Sequence, residues 1–257
     1  MKKYYVTALV FIFSSMALAN IPLIHGHRGA RAVYPENTLK AFNYALNEHI
    51  DVLEMDMAVT KDNVIVISHE PNINPDLCLT ADGKRITTEV PIHSLTLEQV
   101  KTYDCGTLKN PKFAKQTPSP KEQIPTLEEV FNMIETSKDP FAKKIEFNIE
   151  TKIYPNHPEA SPDAKTFVKL FYDIVKKHKM VSRVILQSFD DRTLIAMKKL
   201  DPKVRTSLLT SDNHIDFVAA ARAIRADIVS PDWEWILPED VKALHKAHIQ
   251  VAPWTAD

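Results

Sequence analysis

The residues best suited to chemistry stand in short polar runs that interrupt apolar ones. His27 and Arg28 follow an apolar stretch, Ile21, Leu23 and Ile24, and precede Gly29 and the run Pro35-Glu36-Asn37-Thr38. A histidine titrates near neutrality, and an arginine fork matches phosphate or carboxylate oxygens, so the pair reads as the anion-binding end of a site. Gly29 lets the chain turn there. Glu54 and Asp56 alternate with Leu53, Met55 and Met57, which places two carboxylates on one face of a strand. Glu150 and Lys152 repeat that pattern against Ile145, Phe147 and Ile149, and His69 ends another apolar run, 64–68.

If these residues meet, three carboxylates repel one another and raise each other's pKa unless something positive lies between them. Glu54, Asp56 and Glu150 offer only oxygen, a donor set that suits Ca2+ or Mg2+ better than zinc. His27 and His69 would then provide an acid and a base, while Arg28, Lys152 and the cation hold anionic oxygens. Such a set is suited to cleaving a phosphodiester. Taken singly, each of these residues has a plain alternative, since a Glu-x-Asp strand face is commonly just solvated. Of the remaining histidines, His49, His93, His157, His178, His214, His245 and His248 read as surface or packing residues, and His25 stays open because it shares the face of His27.

The elements that must position these groups follow from periodicity. Apolar strands begin near residues 21, 51, 64, 145, 184, 205, 227 and 249, and helical spacing predicts helices over 39–46, 126–136, 163–178, 191–200, 215–224 and 238–248. Strands separated mainly by helices predict an α/β protein, a (β/α)8 TIM barrel. The alternative, a doubly wound sheet, lacks its glycine-rich fingerprint: the chain has only four glycines. In a barrel the site gathers where strands end, which is where His27, Glu54, Asp56, His69, Glu150 and Lys152 fall. Periodicity fails over 71–123, a proline-rich segment that reads as an inserted subdomain after the third strand, with one short helix over 96–103.

With 257 residues, 44% of them hydrophobic, the chain can bury one large core. Lys plus Arg number 32 against 33 Asp plus Glu, a balance that offers no overall field for nucleic acid. Lys2-Lys3, an apolar run over 6–18 and Ala17-Leu18-Ala19 read as a cleavable signal peptide, 1–19, ahead of a domain over 20–257. The expectation is a periplasmic or secreted protein with no stable membrane insertion after cleavage; a retained amino-terminal anchor is the alternative. An oxidising compartment favours pairing of Cys78 with Cys105, against the alternative of two separate buried thiols. Outside the segment over 71–123, which could hide one, no stretch reads as a basic amphipathic helix or an exposed aromatic loop that would carry the protein to a bilayer.

His27-Arg28-Gly29, Pro35-Glu36-Asn37-Thr38, Glu54-x-Asp56, Thr60-x-Asp62, Val66-x-x-His69, Glu150-x-Lys152, Gln187-Ser188-Phe189 and Trp254-Thr255 together resemble, in order and spacing, the glycerophosphodiester phosphodiesterase family, from about residue 24 onward. The resemblance implies that His27 and His69 are the catalytic acid/base pair and that Arg28 and Lys152 contact phosphate. It also implies that Glu54, Asp56 and Glu150 bind one divalent cation, Ca2+ or Mg2+, and that Phe189 and Trp254 wall the glycerol side. The implied substrate is a small glycerophosphodiester, such as glycerophosphocholine or glycerophosphoethanolamine, split into sn-glycerol 3-phosphate and an alcohol. Two departures stand out. Glu70 occupies the position where the family usually has Asp, and the sequence stops at Asp257, just after the eighth strand, where the family continues with a closing helix. With that final helix absent, either the sequence is a fragment or something else covers the strand face, and the expectation is poor solubility or a homodimer. Competing readings are a lipid-cleaving phospholipase on a similar barrel and an idle module that binds phosphorylated ligands.

Overall fold

The strand that carries Glu54 and Asp56 is buried along its whole length, so it must run through the interior with other strands beside it. The structure, a computed structural model, describes residues 21–212 and 216–255; the expected signal peptide lies outside these residues. In chain order the elements are β1 (His25–Gly26), α1 (Leu39–Asn47), β2 (Val52–Val59), β3 (Ile65–Ile67), α2 (Leu97–Val100), α3 (Leu127–Thr136), β4 (Glu146–Thr151) and α4 (Ala164–Lys177). There follow β5 (Val184–Ser188), α5 (Asp191–Leu200), β6 (Arg205–Thr210), α6 (Phe217–Ile224), β7 (Ile228–Pro231), α7 (Pro238–Lys246) and β8 (Gln250–Val251).

Neighbouring strands pair in parallel in the order β1-β2-β4-β5-β6-β7-β8, the curled sheet of a (β/α)8 TIM barrel. Leu53, Met55, Met57, Phe147, Ile149 and Leu186 leave the sheet on one side and join Phe42, Leu46, Phe131 and Phe171 from the helices in the main core. The alternation that puts these residues outward turns Glu54, Asp56, Asn148 and Glu150 inward. The helices start where capping chemistry predicts. Thr38 accepts from Ala41 N at α1, and Thr126 and Glu129 form a reciprocal capping box at α3. Asp163, Asp190 and Asp216 cap α4, α5 and α6; α6 begins at Phe217, two residues after the expected start.

Three expectations are corrected. The third strand is not a parallel stave: β3 pairs antiparallel with β2, Ile67 opposite Met57 and Ile65 opposite Val59. Only a tight turn joins them, with Thr60 N donating to Val64 O and Asn63 at φ 60°, whereas a parallel crossover needs about a dozen residues. The first strand is also shorter than its apolar run, for Ile21, Leu23 and Ile24 are exposed. Finally, among the described residues β1 pairs only with β2 and β8 only with β7, so the contact between first and eighth strands that a closed (β/α)8 barrel implies is not present there.

The segment over 71–123 has a small core of its own. Ile73, Cys78, Ile92, Val100 and Cys105 pack with Ala58 and Val66 of the β2–β3 hairpin. A disulfide joins Cys78 to Cys105. The short helix is tighter than expected, Leu97–Val100, and is started by a Thr96–Gln99 capping box. Gln116 ties the segment to the loop after β1 by donating to Arg31 O and Tyr34 O.

Candidate active site

Strand geometry fixes the carboxylates. Glu54 lies opposite Asn148 and Asp56 opposite Glu150 in the parallel β2–β4 register, so the inward side chains of the two strands fall side by side. Acceptor oxygens of Glu54, Asp56 and Glu150 come within 4.8 Å of one another, and all three residues are buried. Burial, the Asp56 charge and the nearby Glu150 push the Glu54 carboxyl well above its ordinary range. Burial likewise takes the Glu150 carboxyl up to about 8, despite its Lys152 partner. Burial would raise Asp56 as well, but Lys152, His69 and Arg28 outweigh it and hold that carboxyl below its usual range. Two of the three acids therefore prefer a proton to a bare charge, and their oxygen-only donor set fits a hard divalent cation.

The two histidines reach this cluster from one edge of β2. After Gly26 the chain turns sharply, because Gly29 N donates to both Gly26 O and Glu54 O. Arg28 adopts φ 50° in that turn, which aims its N–H at Glu54 Oε2, 2.8 Å away. His27 Nε2 then stands 3.8 Å from the same carboxylate oxygen, with Thr255 Oγ1 3.3 Å from its Nδ1. Further along the same edge β3 runs back toward the site, and Ser68 N donates to Asp56 O. His69 is delivered by that return, its Nδ1 2.8 Å from Glu70 Oε1. The Glu70 carboxyl is held below its ordinary value, chiefly by this hydrogen bond.

The cations are equally constrained. Arg28 Nη1 bonds Glu36 Oε1 at 2.8 Å and its Nε lies 3.5 Å from Asp56. Lys152 Nζ bridges Glu150 at 2.7 Å and Asp56 at 3.2 Å; burial opposes its charge, yet these two carboxylates hold its pKa above the ordinary lysine value. Phe189 and Trp254 meet edge to face, ring centroids 5.7 Å apart, at the ends of β5 and β8. The structure thus gathers His27, Arg28, Glu54, Asp56, His69, Glu150 and Lys152, and sets Phe189 and Trp254 on the same rim.

Other residues hold this arrangement without having been singled out by sequence. Asn37, at φ 56°, donates to Asp56 Oδ2 at 2.9 Å. Gln187 donates to Glu54 Oε1 at 2.8 Å and accepts from Asn148 at the same distance. His25, left open by sequence, lies 3.5 Å from Asn148, and burial lowers its pKa. The signal for Asn148 was its place on the polar face of β4; Glu36, Asn37 and Gln187 lay inside recognised motifs, but their partners are distant in sequence.

Residues 27–257 match the glycerophosphoryl diester phosphodiesterase family. The chain belongs to that family. A glycerophosphodiester phosphodiesterase of Caldanaerobacter subterraneus subsp. tengcongensis is 31% identical over 91% of this chain and 86% of its own length. One from Bacillus subtilis is 26% identical, covering 90% of this chain and 75% of that protein. Among solved structures, an Oleispira antarctica phosphodiesterase in complex with the product sn-glycerol-3-phosphate has a TM-score of 0.72 at 19% identity, covering 92% of this chain and 85% of that one. A Silicibacter pomeroyi DSS-3 structure reaches a TM-score of 0.84 at 24% identity, covering 91% and 82%. The chain is accordingly an enzyme of the glycerophosphodiester phosphodiesterase class.

Proposed function

We propose that the enzyme splits a small glycerophosphodiester, such as glycerophosphocholine or glycerophosphoethanolamine, into sn-glycerol 3-phosphate and an alcohol, with His27 and His69 as its acid/base pair. The observation that carries this reading is the placement of both imidazoles on one edge of a buried carboxylate triad, with Arg28 and Lys152 both beside Asp56. Burial, with Arg31 and Arg28 nearby, lowers the His27 pKa to about 3, so at neutral pH the ring is unprotonated, the state a base requires. His69 carries the Glu70 carboxylate on Nδ1, a partner that orients the ring for the role of the acid that protonates the departing alkoxide. His27 takes the proton of the attacking group, either water directly or the neighbouring glycerol hydroxyl, in which case water then opens the cyclic phosphate; Arg28 and Lys152 bind phosphoryl oxygens, and the Phe189–Trp254 edge covers the glycerol carbons. Ca2+ or Mg2+ held by Glu54, Asp56 and Glu150 would supply electrostatic stabilisation of the phosphoryl oxygens. Export to the periplasm or medium completes the proposal; it rests on the signal-like residues 1–19.

The test is incubation with glycerophosphocholine and Ca2+ or Mg2+, with and without chelator, while sn-glycerol 3-phosphate is measured. Chelator-sensitive release is expected. Binding of the diester with no release would favour the idle module instead.

A further inference from the structure

We infer that the loop after β7 is a docking surface for a zwitterionic, phosphocholine-covered bilayer. Sequence gave no exposed aromatic loop; the structure corrects that. Trp233 is 57% exposed, Trp235 47% and Leu237 55%, all within five residues, and Phe189 on the neighbouring rim is 48% exposed. Single exposed apolar residues are ordinary, but two indoles and a leucine on one loop are not.

The loop is pinned rather than loose. Trp233 N donates to Trp254 O, Asp232 caps Glu234 N, and Asp240 accepts from Leu237 N. Trp233–Trp235 forms a single 3-10 turn, and the bridge between Asp232 and Trp254 sets this loop on the rim that carries Trp254. Indole rings with one apolar and one polar edge are suited to the boundary between headgroups and acyl chains.

Charge selects the kind of surface. On the described rim from β4 to β7, the loops over 153–162, 189–192, 211–212 and 232–237 carry Glu159, Asp190, Asp191, Asp212, Asp232 and Glu234 against a single arginine, Arg192, which is paired with Asp190. Arg28 and Arg31 belong to the loop after β1, and Lys152 is buried against carboxylates. An anionic bilayer would be repelled by this rim, and a second copy of the same patch would bring like charges together. A choline surface presents quaternary ammonium groups outward, which match both the carboxylates and the faces of tryptophan rings. Docking there would bring the catalytic mouth to the surface from which glycerophosphodiesters derive. This inference does not rest on the roles assigned to His27 and His69.

Co-sedimentation with phosphatidylcholine vesicles tests it, comparing the full chain with a Trp235→Ser/Leu237→Ser variant that has the same amino terminus. We expect the parent to partition onto these vesicles and the variant to lose at least about tenfold, since a fully buried apolar side chain contributes more than that. Added phosphatidylglycerol should weaken the parent's binding, and hydrolysis of soluble glycerophosphocholine should be unchanged in the variant. Equal partitioning of parent and variant, or tighter binding to anionic vesicles, would overturn the inference. So would displacement by soluble glycerophosphocholine, which would make the patch a small-molecule subsite, or light scattering that shows a dimer abolished by the two substitutions.

Discussion

Replacing His27 by Ala should remove turnover while leaving cation affinity nearly intact, because its imidazole is not one of the three clustered oxygen donors. Loss of one acid/base group costs about 10²- to 10⁴-fold in rate. Glu54→Ala should lose both activity and cation binding, since the same carboxylate also orients the Arg28 N–H and accepts from Gln187. Calorimetric titration with Ca2+ beside the product assay separates the two outcomes, and a fully active His27→Ala would sink the assignment of roles. At this scale the residue types were legible because each group is chemically distinctive and ends an apolar run. The supports were not: Asn37 contacts Asp56 and Gln187 contacts Glu54 across 19 and 133 residues of chain.

Between elements, the turn after β1 is the sensitive joint. Gly29 sits at φ 80°, and a Cβ there would lie 2.9 Å from the Ala41 carbonyl carbon and 3.0 Å from Phe42. Gly29→Ala should therefore cost about 1–3 kcal/mol of stability by backbone strain alone. It should also reduce kcat by shifting His27 and Arg28 relative to β2. Thermal melting beside steady-state kinetics checks both; an unchanged melting temperature would contradict the strain assigned to this turn. The alternation of β2 and β4 made their inward carboxylates readable, because a period of two leaves no choice of face. The direction of β3 was harder. Its apolar run is equally compatible with a stave or a hairpin, and the shortness of the connecting turn was the decisive clue.

For the whole molecule, the raised Glu150 pKa couples stability to both pH and cation. Between the ordinary carboxyl value of 4.5 and about 8, the cation-free folded state keeps a proton that the unfolded chain releases. This group's contribution therefore falls as pH rises through that window, and Glu54, shifted the same way, adds to it. A bound cation replaces the proton, so Ca2+ should raise the melting temperature more at about pH 8 than at about pH 6. Scanning calorimetry with Ca2+ or chelator at both pH values measures this, and a larger shift at the lower pH would contradict the proposed site. By itself the sequence determined the barrel class, the inward carboxylates and the two histidines that end apolar runs, because strand period, helix caps and residue chemistry are local properties. Tertiary structure alone decided that Cys78 bonds Cys105, that β1 and β8 do not pair with each other among the described residues, and that Trp233 and Trp235 face outward. Those outcomes depend on which surfaces are covered by distant parts of the chain, and local patterning carries no record of that.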